Sequence, residues 1–198
     1  MRNGTALNNP SYPLGYIDNA LSLNGTVNQS VIAPYLPLSN TSFTISAWLN
    51  VTAYINPSDH SILGICSATI ANQCLSITIR QSSSNYYLYM DFFGSSCQGT
   101  INIEVNKWYH VGFVFDLNSM SQLIYLNGIL DQSCSVSSPL LLTATTLTTI
   151  GSIPLLMSTT GSNIYYVRFD TFFAIKDERN YFCYFHSILG FDRSIGSQ

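Results

Sequence analysis

The chain has 198 residues, of which 46% are hydrophobic and only 9% are charged, and its formal net charge is −3 at pH 7. Its seven Lys and Arg residues are spread thinly and form no basic stripe that could neutralise phosphates, which excludes nucleic acid as an expected partner. No apolar run reaches the roughly 18 residues that a membrane-spanning helix needs, so direct membrane insertion is not expected either.

The N-terminal part of the chain predicts a linker followed by strands. Residues 1–15 are rich in Asn, Pro, Gly and Ser, which predicts a linker or a disordered terminus, with order beginning near Tyr16. Short alternating patterns at 20–25 and 31–37 predict two strands, the second limited by its prolines. Residues 43–51 predict a stronger strand with one face directed at the core.

The middle of the chain continues this rhythm, with strands predicted at 60–65, 75–80 and 86–93 at the spacing typical of a β-sandwich. In the strand predicted at 107–116, both faces are largely apolar, so we expect it to be central and covered on both sides. One face carries Trp108, His110, Gly112 and Val114, and the other carries Tyr109, Val111, Phe113 and Phe115. His110 is therefore interpreted as a core residue.

A hairpin and one more strand complete the pattern. Asn127-Gly128 stands between strands predicted at 122–126 and 129–133 and indicates a two-residue type I′ turn. A further strand is predicted at 146–151 and a surface loop at 154–162. Helical periodicity and internal repeats are absent from the sequence, so we expect one all-β domain.

Four of the five cysteines are placed so that flanking strand ends could bring them together. Cys66 and Cys74 enclose a short loop, whereas Cys97 and Cys134 bracket the central strands. Two disulfides are predicted, worth roughly 2.5 kcal/mol for the short loop and about 4 kcal/mol for the long one on the chain-entropy estimate. The alternative is four ordinary buried thiols. Cys183 has no predicted partner.

Five short motifs occur in the order seen in laminin-G-like, concanavalin A-like jelly rolls, and residues 16–170 resemble that family. The motifs are Ala20-Leu-Ser-Leu-Asn-Gly, Phe43-Thr-Ile-Ser-Ala-Trp, Trp108-Tyr-His-Val, Tyr125-Leu-Asn-Gly-Ile and Thr149-Ile-Gly. The resemblance implies an antiparallel two-sheet jelly-roll sandwich. It also implies a binding role by default, although one fold hosts many functions.

The C-terminal segment departs from the family pattern, which closes with an aromatic-x-Gly-x-Ile-Asp strand. Residues 165–170 have the aromatic and the Asp but place Val167 where Gly is expected, and a second candidate closing strand lies at 189–193. One hypothesis is that residues 167–186 are a translated intron, which would also account for Cys183. The other is that residues 171–198 are a divergent tail packed on the domain.

Catalysis is not expected. A glycosidase needs two facing carboxyl groups, but Glu104 and Glu178 are the only glutamates, and pairing Asp91 with Asp116 is conjecture. Spacing of His and Cys predicts no metal cluster. Calcium is the open alternative, because many laminin-G-like domains bind it at a rim. Its candidate oxygen donors, Asp116, Asn118 and Asp131, are equally explained as turn-forming residues.

Tyr87, Tyr89 and Asp91 alternate on one strand and are the predicted ligand-binding face. Asn-x-Ser/Thr acceptors for glycosylation occur at Asn24, Asn28, Asn40 and Asn50, with one more at Asn3, in a sequence rich enough in Asn, Ser and Thr to produce such matches by chance.

The sequence therefore predicts a non-enzymatic recognition or adhesion module that binds an extracellular protein or glycan. A calcium-dependent lectin and a structural spacer domain are the alternatives, and a glucanase-like hydrolase ranks last. An extracellular or cell-surface location is expected, as part of a longer secreted protein, because the chain begins without a signal-like apolar segment. No cofactor is predicted, and the oligomeric state is left open.

Overall fold

The computed structural model describes residues 4–16, 19–24, 28–54, 59–153, 167–177 and 182–184. Throughout these residues the regular secondary structure consists of strands, and no helix that could cross a membrane is found among them. The strands are β1 (Thr5–Leu7), β2 (Ala20–Leu23), β3 (Ser30–Ala33), β4 (Phe43–Val51), β5 (Asp59–Cys66), β6 (Cys74–Ser82), β7 (Asn85–Asp91), β8 (Ser96–Gln98), β9 (Trp108–Asp116), β10 (Ser121–Leu126), β11 (Ile129–Ser135), β12 (Thr148–Ile150), β13 (Val167–Asp177) and β14 (Phe182–Tyr184).

Two antiparallel sheets form a sandwich. The first sheet has the strand order β1-β3-β12-β5-β6-β7-β8, and the second has the order β11-β10-β9-β4-β13-β14, with β2 also paired to β13. Neighbours in these sheets are often far apart in sequence, as expected of a jelly roll. The predicted all-β sandwich of two antiparallel sheets is confirmed.

The core lies between the sheets and is filled by the alternate residues of each strand. On β4, Phe43, Ile45 and Leu49 are 2% exposed or less. Phe92, which follows β7 in the first sheet, reaches across to Phe43 and Phe115 in the second, with ring centroids 6.2 and 5.0 Å away. Such tilted and edge contacts stabilise by about 0.5–1.5 kcal/mol each beyond the burial of area, so these rings help to fix one sheet on the other.

Strand β9 corrects one prediction. Tyr109, Val111, Phe113 and Phe115 are buried as expected, but Trp108 and His110 point to the other face and are only partly buried. The strand is central within the second sheet, but one of its faces belongs to the outer surface of that sheet, so the side chains on that face are only partly buried. An apolar pattern on both faces predicted burial on both, and His110 is not a core residue.

Both predicted disulfide pairings are present. Cys66–Cys74 closes the turn between β5 and β6, with Cα atoms 3.9 Å apart. Cys97–Cys134, with Cα atoms 5.5 Å apart, joins β8 to β11, which are the edge strands of the two different sheets. The second disulfide therefore links the two halves of the sandwich.

The predicted hairpin turn is also present, because Asn127 and Gly128 both have positive φ, at 51° and 81°. A second position, Gly64 on β5, requires glycine because another segment of the backbone passes close to it. A Cβ atom there would lie 2.6 Å from the carbonyl oxygen of Ser152 and 2.9 Å from the Cα of Ile153. The chain leaving β12 thus crosses the outer side of β5 next to Gly64.

The N-terminal prediction was wrong. Within the segment predicted as a linker or disordered, β1 pairs with β3, and Ser11 pairs with Ser22 through backbone hydrogen bonds of 2.8 and 3.3 Å. Asn, Pro and Gly are common in turns, and that composition concealed short extended pieces whose backbone groups complete a sheet edge.

The C-terminal boundary also needs correction. Strand β13 is continuous from Val167 to Asp177, so the boundary predicted at residue 170 falls inside a strand. Residues 167–170 pair with both β2 and β4, as the closing strand of the fold should, and the register shifts between Asp170 and Ala174. The alternative strand at 189–193 and the loop at 154–162 lie outside the described residues. The intron hypothesis concerns the transcript and stays a prediction.

Candidate functional site

Five polar and aromatic side chains share the outer side of the first sheet, on β5, β6 and β7. We call this set the tyrosine face: Asp59, Arg80, Tyr87, Tyr89 and Asp91. The register explains the grouping, because Asp59 is opposite Arg80 and Arg80 is opposite Tyr87. Since side chains alternate along a strand, Tyr87, Tyr89 and Asp91 point the same way, as predicted, while Leu88 and Met90 enter the core.

Arg80 is held from two directions. Its Nε and Nη2 donate to the two carboxylate oxygens of Asp59, each at 2.8 Å, and its Cζ lies 3.8 Å from the centre of the Tyr89 ring. Burial alone would lower the pKa of the guanidinium, but the hydrogen bonds and negative charge of Asp59 outweigh it and raise that pKa. A two-pronged ion pair with an aromatic ring against the guanidinium leaves little rotational freedom.

The two ends of the face differ in their contacts. Near Tyr87, the side-chain amide of Asn85 donates to the phenolic oxygen at 3.1 Å. At the other end, a carboxylate oxygen of Asp91 accepts the backbone N–H of Gly94 at 3.2 Å. Burial raises the pKa of Asp91 even though this hydrogen bond and the charge of Arg80 act in the opposite direction.

Small polar residues surround the tyrosines. Tyr89 lies opposite Thr78 on one side and Gln98 on the other, and Asp91 lies opposite Ser76 and Ser96. Along β7, Tyr87 and Asp91 are about 13 Å apart at roughly 3.3 Å per residue. Ser76 and Thr78 are buried, at 4% and 1% exposed, so their hydroxyls are closed to a ligand. The groups that a ligand can reach are the two tyrosine rings, the Arg80 guanidinium, the Asp91 carboxylate and the exposed side chains of Ser96 and Gln98.

The structure does not gather the candidate calcium donors. Asp116 is opposite Ser121, which is opposite Ser135, whereas Asp131 lies about 13 Å further along β11 at roughly 3.3 Å per residue. Asp116 accepts from the Ser119 hydroxyl at 2.6 Å and the Asn118 N–H at 3.0 Å, contacts that lower its pKa, and it serves a turn. Asp131 accepts from the N–H and hydroxyl of Thr100. Among the described residues, no group of three or more His, Cys, Asp or Glu could hold a metal.

A second outer surface was missed by sequence reasoning. We call it the tryptophan face: Tyr16, Trp48, Trp108 and His110. Trp48 is opposite His110 on neighbouring strands of the second sheet, and the two rings are 5.4 Å apart, edge to face. The alternation of β4 had placed Trp48 away from the core, but which residues stand beside it depends on how β4 aligns with β9.

The glycosylation acceptors differ in accessibility. Asn28 and Asn40 are exposed and have positive φ, at 52° and 51°. Asn50 lies within β4, is only 8% exposed and pairs in register with Trp108, which makes it the least accessible of the described acceptors. Glycosylation at these positions stays a prediction. Asn24 is partly buried, and Asn3 lies outside the described residues.

The family model described as "Concanavalin A-like lectin/glucanases superfamily" matches residues 24–168. No curated protein matches the chain at a significant level.

Solved structures with the same architecture come from several sources. Domain 4 of an extracellular GH43 arabinanase from Geobacillus stearothermophilus, solved with arabinotriose, has a TM-score of 0.56 at 18% identity, covering 84% of this chain and 81% of that one. The binding domain of Paraclostridial Mosquitocidal Protein 1 has a TM-score of 0.60 at 17% identity, over 88% and 44%. A putative carbohydrate-binding protein from Bacteroides ovatus has 0.52 at 15%, over 88% and 43%. The chain thus spans under half the length of the last two, and at these identities the likeness shows the fold.

Proposed function

We propose that this chain, which belongs to the concanavalin A-like lectin/glucanases superfamily, is a non-catalytic carbohydrate-binding module whose ligand lies on the tyrosine face. The observation that carries the proposal is the fixed geometry around Arg80. The guanidinium is held against Tyr89 by Asp59, so a hydrogen-bonding plane and an aromatic ring are already arranged before any ligand arrives. A site prepared in this way loses little entropy on binding.

The chemistry of the face suits a sugar. The C–H bonds of a pyranose or furanose ring carry slight positive charge and pack on the negative face of a tyrosine ring. Hydroxyl groups at the ring edge need donors and acceptors, and the guanidinium, the Asp91 carboxylate and the Gln98 amide supply them. Arg80 and Asp59 neutralise each other, which leaves the Asp91 carboxylate as the uncompensated charge of the face, so the face disfavours an anionic ligand.

The similar proteins support this class of ligand. One structural neighbour was solved with arabinotriose, and another is described as a putative carbohydrate-binding protein. A short neutral oligosaccharide would extend along the Tyr87 to Asp91 row. A role in adhesion would follow if that oligosaccharide belonged to a cell-surface or matrix glycan.

We propose further that the module binds without hydrolysing its ligand, independently of calcium, and outside the cytosol. A carboxylate pair for hydrolysis would need one member free to protonate the leaving oxygen, yet Asp59 is committed to Arg80. Two disulfides support an oxidising compartment. Binding measured in calcium and again in a chelator should give the same affinity.

The test is calorimetric titration of the oxidised chain with arabinotriose, cellotriose, lactose and sialyllactose. Saturable binding of at least one of the neutral sugars is expected, and Tyr89→Ala should weaken it about tenfold or more. Tyr89→Phe keeps the ring and should bind nearly as well. The control Ile70→Ala removes an exposed apolar side chain elsewhere and should leave binding unchanged. Absence of binding to all four sugars, or equal binding by Tyr89→Ala, would refute the proposed site.

A further inference from the structure

Both tryptophans of the chain lie on the outer side of the second sheet and neither lies in the core. Trp48 on β4 and Trp108 on β9 are only partly buried, whereas the interior is filled by Phe, Leu and Ile. A tryptophan side chain has a large apolar surface, and exposing it to water costs free energy. Two tryptophans on one outer face therefore indicate a binding surface.

Tyr16 completes the arrangement. Its ring stacks on Trp48, with centroids 3.9 Å apart and an angle of 22° between the planes, and yet the residue remains 55% exposed. One face of the tyrosine ring is therefore supported by Trp48 while the other is open to solvent. The Trp108 ring stands 6.3 Å away at 54° to Tyr16. The Tyr16 ring is thus a flat, partly exposed surface, and the Trp108 ring stands at an angle beside it.

Backbone contacts hold the hairpin that carries Tyr16. Tyr16 lies in the loop of a hairpin in which Ser11 is bridged to Ser22 and Leu14 to Asn19. The N–H of Ala20 donates to the carbonyl of Pro13 at 2.8 Å, which closes the loop that carries Tyr16. These contacts stabilise the hairpin from which the Tyr16 ring reaches Trp48.

The side chains of the second sheet next to Trp48 and His110 are small. Next to the Trp48–His110 pair along the strands stand Ser46 and Gly112, which are opposite each other. Tyr125 of β10 lies opposite Gly112, with its Cβ at 3.4 Å and a ring carbon at 4.0 Å from where a Gly112 Cβ would be. Gly112 is buried, so Tyr125 covers this part of the sheet, and the aromatic surface that a ligand can reach is that of Tyr16.

We propose that the tryptophan face is a second ligand-binding site, which takes the apolar C–H face of a neutral pyranose ring on Tyr16, with Trp108 against the ring edge. The phenol, the indole N–H groups and the imidazole at the rim supply hydrogen bonds to equatorial hydroxyls. None of the four side chains carries a full charge at neutral pH, since burial lowers the pKa of His110 below its ordinary value. In register, Asp170 of β13 stands opposite Trp48, which disfavours an anionic ligand. The site belongs to the opposite sheet from the tyrosine face, so it does not depend on the function proposed above.

Tryptophan fluorescence isolates this site, because both tryptophans are in it. The full oxidised chain is titrated with cellotriose, lactose and arabinotriose, and with sorbitol as an acyclic polyol that has no ring face. We expect a saturable change in emission with cellotriose or lactose, whose rings are pyranoses, and none with sorbitol. Tyr16→Ala should weaken the affinity about tenfold, and Tyr16→Phe should preserve it. Leu14→Ala, which removes an 82% exposed neighbour, is the matched control.

The two proposals fail in distinguishable ways. The Tyr89→Ala variant, which removes a ring from the tyrosine face, should leave the fluorescence titration unchanged. The proposal is overturned if neither cellotriose nor lactose alters the emission, if Tyr16→Ala binds as well as the wild type, or if Tyr89→Ala abolishes the change. Circular dichroism of each variant separates a lost contact from a lost fold.

Discussion

The two outer faces of the sandwich are built differently. The tyrosine face stands on β5, β6 and β7, which follow one another in the chain and pair as neighbours. The tryptophan face draws Trp48 and Trp108 from β4 and β9, which are distant in sequence, and Tyr16 from a hairpin beside the sheet. The first is a property of one local meander, whereas the second exists only when distant segments meet.

This difference has an energetic consequence. Arg80 fixes the tyrosine face through an ion pair and a ring contact made within adjacent strands. Tyr16 is fixed on the tryptophan face by one stacked ring pair and by the hairpin around it. We therefore expect the tyrosine face to tolerate partial loosening of the fold better than the tryptophan face does.

The largest test of the comparison removes the bond between the sheets. Replacing Cys97 and Cys134 together by Ala should lower the free energy of unfolding by about 4 kcal/mol on the chain-entropy estimate, because this disulfide closes the long loop. Replacing Cys66 and Cys74 together should cost only about 2.5 kcal/mol, because that loop is short. Urea unfolding followed by circular dichroism measures both. An equal loss in the two double variants would contradict the estimate.

Acid should act on the first sheet. His60 on β5 is fully buried beside Tyr54 and Tyr86, at 5.0 and 5.8 Å between ring centroids, and burial lowers its pKa to about 4. Below pH 6.5, the ordinary pKa of histidine, His60 binds a proton in the unfolded chain, whereas in the folded chain it stays neutral until the pH approaches 4. Stability should therefore fall from pH 6.5 to pH 4, by about 3 kcal/mol at roughly 1.4 kcal/mol per unit, and this contribution should level off below pH 4.

The control uses the other face. His60→Gln should give a shallower loss of stability between pH 6.5 and pH 4 than the wild type, whatever its stability at pH 7. Burial also lowers the pKa of His110, but this residue is partly exposed on the tryptophan face, so His110→Gln should change the slope less than His60→Gln does. The attribution to His60 fails if the two variants have the same slope.

The same contrast explains what could be predicted from the sequence. Alternation along a single strand was enough to place Tyr87, Tyr89 and Asp91 together, because period two is a local property. The tryptophan face depends on the register of Trp48 against His110 and on the position of Tyr16, which are long-range facts. His110 was misassigned for that reason: its strand told which residues shared its face but not what covered that face. Arg80 and Asp59 were missed in the same way, since only the β5–β6 register makes them opposite.

A smaller effect is expected from the Arg80 clamp itself. A double-mutant cycle with Arg80→Gln and Asp59→Asn should give a coupling energy of about 1.5 kcal/mol, since the pair is doubly hydrogen-bonded but the side chains are 34% and 24% exposed. Arg80→Lys keeps the charge but loses the paired geometry, and should recover less than half of the coupling. A coupling near zero would mean that the ion pair does not position the face.

The smallest effect tests how firmly Tyr16 is held. Tyr16→Ala removes one stacked ring pair, worth about 0.5–1.5 kcal/mol, and because the ring is already 55% exposed we expect a loss near the lower limit. The tryptophan emission should shift to longer wavelength, since the ring that shields Trp48 from water is gone. The Tyr16→Phe variant keeps the stacking and should retain the emission of the wild type. A loss of several kcal/mol would contradict this view, because it would mean that Tyr16 anchors the hairpin to the fold instead of presenting an open ring to a ligand.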